Sequence, residues 1–216
     1  MLGDCFDPKG EVAIREHCRP HWSQAGAVVF ITFRTADSIP RSVVEAWNRE
    51  KQLWLQNCLG RSVADVQLAQ QFLSPADHVR YRQTFGRQRE MFLDTCHGEC
   101  LLRDEQLAAI VAKSLLHFDG QRYCMGDFVV MPNHVHLLAV FPTAEAMHRQ
   151  CDSWMHFTAH EINKAISRTG KLWQEEPFDH LVRSPEQYDY LRRYLAENPQ
   201  KAKLRAGEYL YRRYPD

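Results

Sequence analysis

Residues 122–141, Arg-Tyr-Cys-Met-Gly-Asp-Phe-Val-Val-Met-Pro-Asn-His-Val-His-Leu-Leu-Ala-Val-Phe, constrain the fold of this chain more than any other stretch. Two β-branched and apolar runs are separated only by Pro132 and Asn133, a short break of the kind that joins antiparallel neighbours. Proline cannot donate to a β-ladder, so its place between the runs argues for a turn. The pattern predicts a hairpin with strands over 122–131 and 134–141.

The surroundings of the hairpin extend the plan. Before it, residues 104–117 repeat apolar side chains at helical spacing and are closed by Asp119-Gly120. After it, a helix is predicted over about 144–167, with Trp154, Phe157 and Ile162 on its inner face. Residues 27–35 are β-branched and aromatic and read as a strand, as do the last five residues of the segment 172–183. The resulting β-α-β-β-α-β order is the ferredoxin-like split βαβ plan, an α+β fold with an antiparallel sheet. The stretch over about 40–100, opened by Pro40 and carrying Val43, Val44, Trp47, Leu53 and Trp54 at helical spacing, reads as a helical insertion. A single domain over 25–205 is expected, with a loose polar lead-in over 1–24 and a tail over 206–216.

One helix is left over. Ser184-Pro185-Glu186-Gln187 is a helix start, with serine as N-cap, proline at N1 and glutamine completing a capping box. That helix is expected to stop before Pro199. It carries Tyr190, Tyr194 and Asn198 at intervals of four residues, hence on one face.

Composition narrows the function classes. At 216 residues with 44% hydrophobic and 25% charged content, the chain can bury a sizeable core. No window approaches the roughly 20 apolar residues that span a bilayer, and the start lacks the layout of a signal peptide. A cytoplasmic protein without membrane partners is expected. Seven cysteines fit a reducing compartment. Cys5, His17, Cys18 and His21, or Cys96, His97 and Cys100, could bind zinc, but neither set has paired zinc-finger spacing. Basic and acidic residues balance at 27 each, so no global positive field recruits nucleic acid. Distribution matters more: Arg80, Arg82, Arg87 and Arg89 interleave with Tyr81 and Phe85, and a second basic run extends from Arg192 to Arg213. Such runs are either solvated faces or tracks for a phosphate backbone with bases stacked on the aromatics.

His134 and His136 sit at the start of the second hairpin strand, where positions i and i+2 share a face. They are either strand histidines or a chelating pair. If the leftover helix packs against that face, two imidazoles meet a phenol and a carboxamide. Two nitrogens and one oxygen suit Mg²⁺ or Mn²⁺, with substrate phosphate completing the sphere. A tyrosine beside such an ion is a candidate nucleophile; alternatively Tyr190 and Tyr194 are amphipathic core residues.

Met131-Pro-Asn-His-Val-His-Leu-Leu138 resembles the His-hydrophobic-His motif of single-tyrosine transposases of the IS200/IS605 type. Leu172-Trp-Gln, Phe178-Asp-His, Arg183 and Tyr194-Leu-Ala-Glu-Asn-Pro-Gln-Lys-Ala202 resemble the REP-associated tyrosine transposases, a branch of that group. The resemblance implies Tyr194 as nucleophile, His134, His136 and Asn198 as ligands of Mg²⁺ or Mn²⁺, and cleavage of single-stranded DNA through a 5′-phosphotyrosine. It also implies short hairpin-forming repeats as the DNA partner, handled by a monomer or a homodimer. Where relatives commonly read Ser-Trp-Lys, this chain has Ser153-Trp154-Met155. DNA contacts are expected from Arg34, Arg183, Arg192, Arg193, Lys201 and Lys203. The alternatives are a domesticated hairpin-binding protein with little catalytic activity, and a nuclease that uses metal-activated water.

Overall fold

The alternation of the hairpin builds the centre of the molecule. In the computed structural model, which describes residues 2–15, 21–86, 88–175 and 177–215, the chain divides into two compact units. One comprises Met1–Ala36 with Glu99–Asp216, and the other Asp37–Gly98.

The first unit opens with two short strands, β1 (Ala13–Arg15) and β2 (His21–Ser23), paired antiparallel. The segment expected to be a loose lead-in is therefore structured, and its backbone is tied to the main sheet: Val28 N–H donates to the Asp4 carbonyl and Phe6 N–H to that of Val182. Three-residue strands are too short to show period-2 alternation, which is why the sequence hid them. The main sheet has five antiparallel strands. Four match the expectation: β3 (Val28–Arg34), β4 (Cys124–Met131), β5 (His134–Val140) and β6 (Phe178–Leu181). The fifth, β7 (Leu210–Arg212), comes from the residues read as a tail and pairs with β4, giving the order β6-β3-β5-β4-β7.

The second unit is all helical: α1 (Arg41–Leu59), α2 (Val66–Gln70), α3 (Pro75–Phe85) and α4 (Gln88–Leu93). Its core gathers Leu55, Val63, Ala69, Leu73 and Tyr81, with Trp54 and Phe85 packed against it. Leu53 is 59% exposed, so the buried stripe of α1 runs through Leu55 instead. Tyr81 is thus a core residue with Phe85 partly buried against it, and Arg80 pairs with Asp77 on its own helix. Arg87 lies outside the described residues.

Helices α5 (Glu105–Leu116) and α6 (Ala144–Ala165) cover one face of the sheet. Val29, Ile31 and Phe33 of β3 and Val135, Leu137 and Ala139 of β5 point into an apolar core shared with Leu107, Val111, Leu115, Trp154 and Ile162. Met155, in the Ser153-Trp154-Met155 segment, is buried there too. Phe157 turns outward, 52% exposed, contrary to the expected inner face. It follows Trp154 by three residues, about 300° around the helix, and the buried stripe continues through Thr158 instead.

The leftover helix α7 (Pro185–Lys201) covers the opposite face. Ser184 caps it by accepting from Gln187 N–H at 3.2 Å, while Gln187 Oε1 accepts from Arg183 N–H at 2.8 Å, one residue before the usual capping-box partner. The helix does not stop before Pro199 but carries it, buried, in its last turn, at the cost of the backbone bond to the Leu195 carbonyl. Tyr188, Leu191, Leu195, Asn198 and Pro199 form its buried stripe.

Candidate metal and nucleophile site

The site is assembled on the α7 face from strand alternation. Register pairs Thr32 with His136 and Arg34 with His134 across β3 and β5. Because Ile31 and Leu137 face the apolar core, Phe30, Thr32, His134 and His136 face α7. Both histidines are fully buried, with ring centroids 4.5 Å apart.

Each ring is oriented from behind. His134 Nδ1 lies 2.7 Å from Asn133 Oδ1, a carbonyl oxygen that can only accept, so Nδ1 carries the proton and Nε2 the lone pair. His136 Nδ1 lies 2.6 Å from the Thr32 hydroxyl. Phe30 stacks on His136 at 5.3 Å between centroids and forms the floor of the site. Nε2 of His134 is buried without a hydrogen-bond partner among the described residues. Leaving such an atom unsatisfied costs on the order of 1–3 kcal/mol, unless something else binds there.

Burial also sets the protonation state. It pushes the His134 imidazole down to about 3, and His136 falls well below its usual value through burial and the neighbouring His134. Both rings are thus neutral at physiological pH and offer lone pairs. His180, whose ring lies 5.2 Å from Phe30, is pushed down to about 4 by burial and then by the Arg183 charge.

Helix α7 brings the third component. The Tyr194 hydroxyl reaches Nε2 of His136 at 3.4 Å, and its ring meets His136 edge-on at 5.4 Å and Phe30 at 6.2 Å. Asn198, one turn later, is fully buried on the same helix. Tyr190 does not join them; it is 51% exposed. At 100° per residue it stands about 80° around the helix from Asn198, so only one of the two tyrosines can follow the buried stripe.

The chain's own residues fit a divalent ion. Two neutral imidazoles, one with a vacant Nε2 lone pair, are held by fixed partners beside a phenol. Two imidazoles with oxygen donors suit Mn²⁺, and Mg²⁺ less strongly. Of the proposed zinc sets, His17 and Cys18 lie outside the described residues, as does the His21 side chain. His97 stacks on Phe92 at 4.3 Å, and the Cys96 thiol meets the Asp94 carbonyl at 3.9 Å.

The basic residues named from the sequence take different positions. Lys201 stands 5.3 Å over the Tyr194 ring and pairs with Glu197 at 3.2 Å. Arg183, Arg193 and Lys203 are exposed, and Arg34 is half-buried at the end of β3. Arg192 turns inward: its Nε donates to Asp127 Oδ1 at 3.2 Å, and Arg192 Nη2 donates to the Tyr214 carbonyl at 3.0 Å. Arg192 and Arg193 line an open groove of about 670 Å³ with Asp127, Asp189, Tyr211 and Arg213.

Three participants escaped sequence reasoning. Thr32 interrupts the apolar run Val28–Phe33 of β3, a signal that gains meaning only once register sets it opposite His136. Asn133 reads as a turn residue and doubles as the His134 acceptor. Asp127 has no local partner to announce it.

No helix among the described residues is long and apolar enough to cross a membrane. No family model matches the chain, and no curated protein matches it. Among solved structures, the chain is similar to a REP-associated tyrosine transposase bound to a REP hairpin, with 15% sequence identity and a TM-score of 0.39 over 82% of this chain and 69% of that one.

Proposed function

We propose that this chain is a metal-dependent DNA strand-transfer enzyme that cleaves and rejoins single-stranded, hairpin-forming repeat DNA through Tyr194. The observation that carries the reading is the meeting of Tyr194 with a buried, neutral histidine pair in one chain, its hydroxyl 3.4 Å from His136 Nε2. Core histidines have no need of a vacant Nε2, and a core tyrosine has no need to point at them.

His134 and His136, with Asn198, would hold Mn²⁺ or Mg²⁺; when bound, the ion polarises the scissile phosphate and templates attack. The Tyr194 oxygen attacks phosphorus and the P–O3′ bond breaks. The phenolic proton passes to solvent, the departing 3′ oxygen takes one up, and a 5′-phosphotyrosine remains. Rejoining is the reverse, with a 3′-hydroxyl as attacker. Thr32 and Asn133 keep the imidazoles from rotating, and Phe30 closes the floor against water. Arg183, Arg193, Lys201 and Lys203 are exposed where a phosphate backbone could run past α7, which makes binding steeply salt-dependent through counterion release. Arg34 stands at the histidine end of β3, within the same proposed strand path. Monomer or homodimer, the reading needs only one chain per site.

The test is adduct formation on a labelled single-stranded hairpin with Mn²⁺, resolved after denaturation. Wild type forms a covalent protein–DNA band, and Tyr194→Phe loses it by at least about 10⁴-fold. Persistence of the band in Tyr194→Phe moves the nucleophile elsewhere. Cleavage with a free 5′ end in both proteins would mean activated water instead, and hairpin binding without cleavage a domesticated binding protein.

A further inference from the structure

A helix that carries a nucleophile must be held in register with the metal ligands, and here the holding begins with an irregularity in β4. Met125 and Phe128 are three residues apart, yet both side chains lie in the core under α5 and α6. Regular alternation would put them on opposite faces. The ladder resolves this with a bulge: Met125 pairs with Ala139 and Phe128 with Leu137, so Gly126 and Asp127 stand opposite the single residue Leu138. Neighbouring segments approach closely there: a Cβ on Gly126 would stand 2.7 Å from the Leu2 side chain and 3.0 Å from the Leu138 carbonyl oxygen.

The bulge delivers Asp127 to the α7 face as a carboxylate only 1% exposed. Its two oxygens are fully engaged. Oδ1 accepts from Arg192 Nε at 3.2 Å and from Tyr214 N–H at 2.9 Å, and Oδ2 accepts from the Tyr211 hydroxyl at 2.9 Å. Arg192 closes the circuit by donating to the Tyr214 carbonyl at 3.0 Å. Three segments that are remote in sequence, the β4 bulge, α7 and the strand-and-tail β7 segment, therefore meet on one buried charge. Arg192 stands two residues before Tyr194, so the anchor lies within one helical turn of the nucleophile.

We propose that Asp127 is a positioning residue for Tyr194: through Arg192 it clamps the tyrosine helix onto its own sheet, with β7 and Tyr214 as the other jaw. The inference rests on reading Tyr194 as the nucleophile, but the clamp itself is a statement about α7 docking. A burial-only contact would tolerate sliding of α7 along the sheet. A carboxylate with three directional donors fixes both the axial position and the rotation of the helix, which is what in-line attack needs. Misplacement by about 1 Å costs on the order of 10²-fold in rate.

The experiment uses the full chain with Asp127→Asn, which keeps shape and acceptor oxygen but removes the charge facing Arg192. Hydrogen exchange is followed in α7 and in β3 and β5, alongside single-turnover adduct formation with Mn²⁺ and hairpin affinity. Exchange in α7 is expected to rise about tenfold with β3 and β5 unchanged, and adduct formation to fall about 10–100-fold with hairpin affinity preserved. Asp127→Glu should recover part of the rate. Arg192→Lys, which keeps the charge but loses the planar fork, should fall between wild type and Asp127→Asn. Exchange raised uniformly across the sheet, or α7 exchange and adduct rate both at wild-type level, would overturn the clamp. If Asp127→Asn does not fold, Arg192→Lys decides by the same readouts. Should wild type form no adduct at all, the proposed chemistry fails while the exchange data still decide the clamp.

Discussion

The two faces of the central sheet are built from the same strands and have opposite chemistry. Toward α5 and α6, every second residue of β3 and β5 is apolar, and the face ends in Trp154, Leu115 and Ile162. Toward α7, the intervening residues include Thr32, His134 and His136, all buried, and the helix adds Asn198 and Arg192. The apolar face gains from each buried side chain, about 1.5–3 kcal/mol for a leucine-sized group. The polar face costs free energy wherever a buried atom lacks a partner, and among the described residues His134 Nε2 has none. One face stabilises the fold so that the other can hold groups poised for a ligand.

Adjacent residues of β5 put this contrast to its hardest test. His136→Ala is expected to reduce metal-dependent adduct formation by at least about 10³-fold, roughly 4 kcal/mol of barrier, while the protein stays folded and binds the hairpin. Leu137→Ala, one residue on and equally buried, should instead cost about 2–5 kcal/mol of stability in urea melts. The adduct rate of its remaining folded fraction should be near normal. If His136→Ala unfolds the protein and spares chemistry, the pair belongs to the core and the faces differ only in polarity.

Proton linkage separates the faces next. His134 stays neutral in the folded chain down to about 3, whereas the unfolded chain takes up a proton near pH 6.5. Between those values the unfolded state binds more protons, so stability is full above about 6.5 and declines as pH falls toward 3, by at most about 1.4 kcal/mol per pH unit for each such histidine. His136, depressed in the same direction, adds to the slope. Urea midpoints between pH 7.5 and 5 measure it, and His134→Ala should flatten it. At pH 7.5, Mn²⁺ at a hundredfold excess over its dissociation constant should raise stability by about 2.7 kcal/mol in wild type. It should do so far less in His134→Ala. A pH slope unaltered by His134→Ala would assign the titration elsewhere, with His180 the next candidate.

How much of this was legible in the sequence follows the same division. The apolar face declared itself, because β-α-β-β-α-β order and two amphipathic helices are local patterns. The His134–His136 pair was legible as neighbours on one strand face, and Tyr190, Tyr194 and Asn198 as one helix face, because i,i+2 and i,i+4 spacings are local too. The choice of Tyr194 over Tyr190 came from the resemblance, not from spacing. What stayed hidden depends on distant pairing. Thr32 becomes a histidine partner only through the β3–β5 register, and Asp127 an anchor only through a bulge and two segments more than 60 residues away. Arg192, read as a DNA contact, is engaged by that buried carboxylate. Strands β1, β2 and β7, each three residues long, are held by neighbours rather than by their own alternation. Pro199 misled because tertiary burial outweighed a local breaker: it packs with Leu195 and Asn198 on the buried stripe of α7.

The smallest effect distinguishes how the two helical layers are anchored. Thr143 caps α6 by accepting from Ala146 N–H at 3.1 Å, and Ser184 caps α7 by accepting from Gln187 N–H at 3.2 Å. Replacing either with alanine should cost about 1 kcal/mol in a urea melt. Neither should slow adduct formation measurably, and for Ser184→Ala the reason is specific. Loss of a cap frays the first turn, whereas Arg192 and Asp127 fix α7 between that turn and Tyr194. A slowing of about tenfold or more in Ser184→Ala but not in Thr143→Ala would show α7 responding along its whole length. The polar face would then be held from the end of its helix rather than from the bulge of β4.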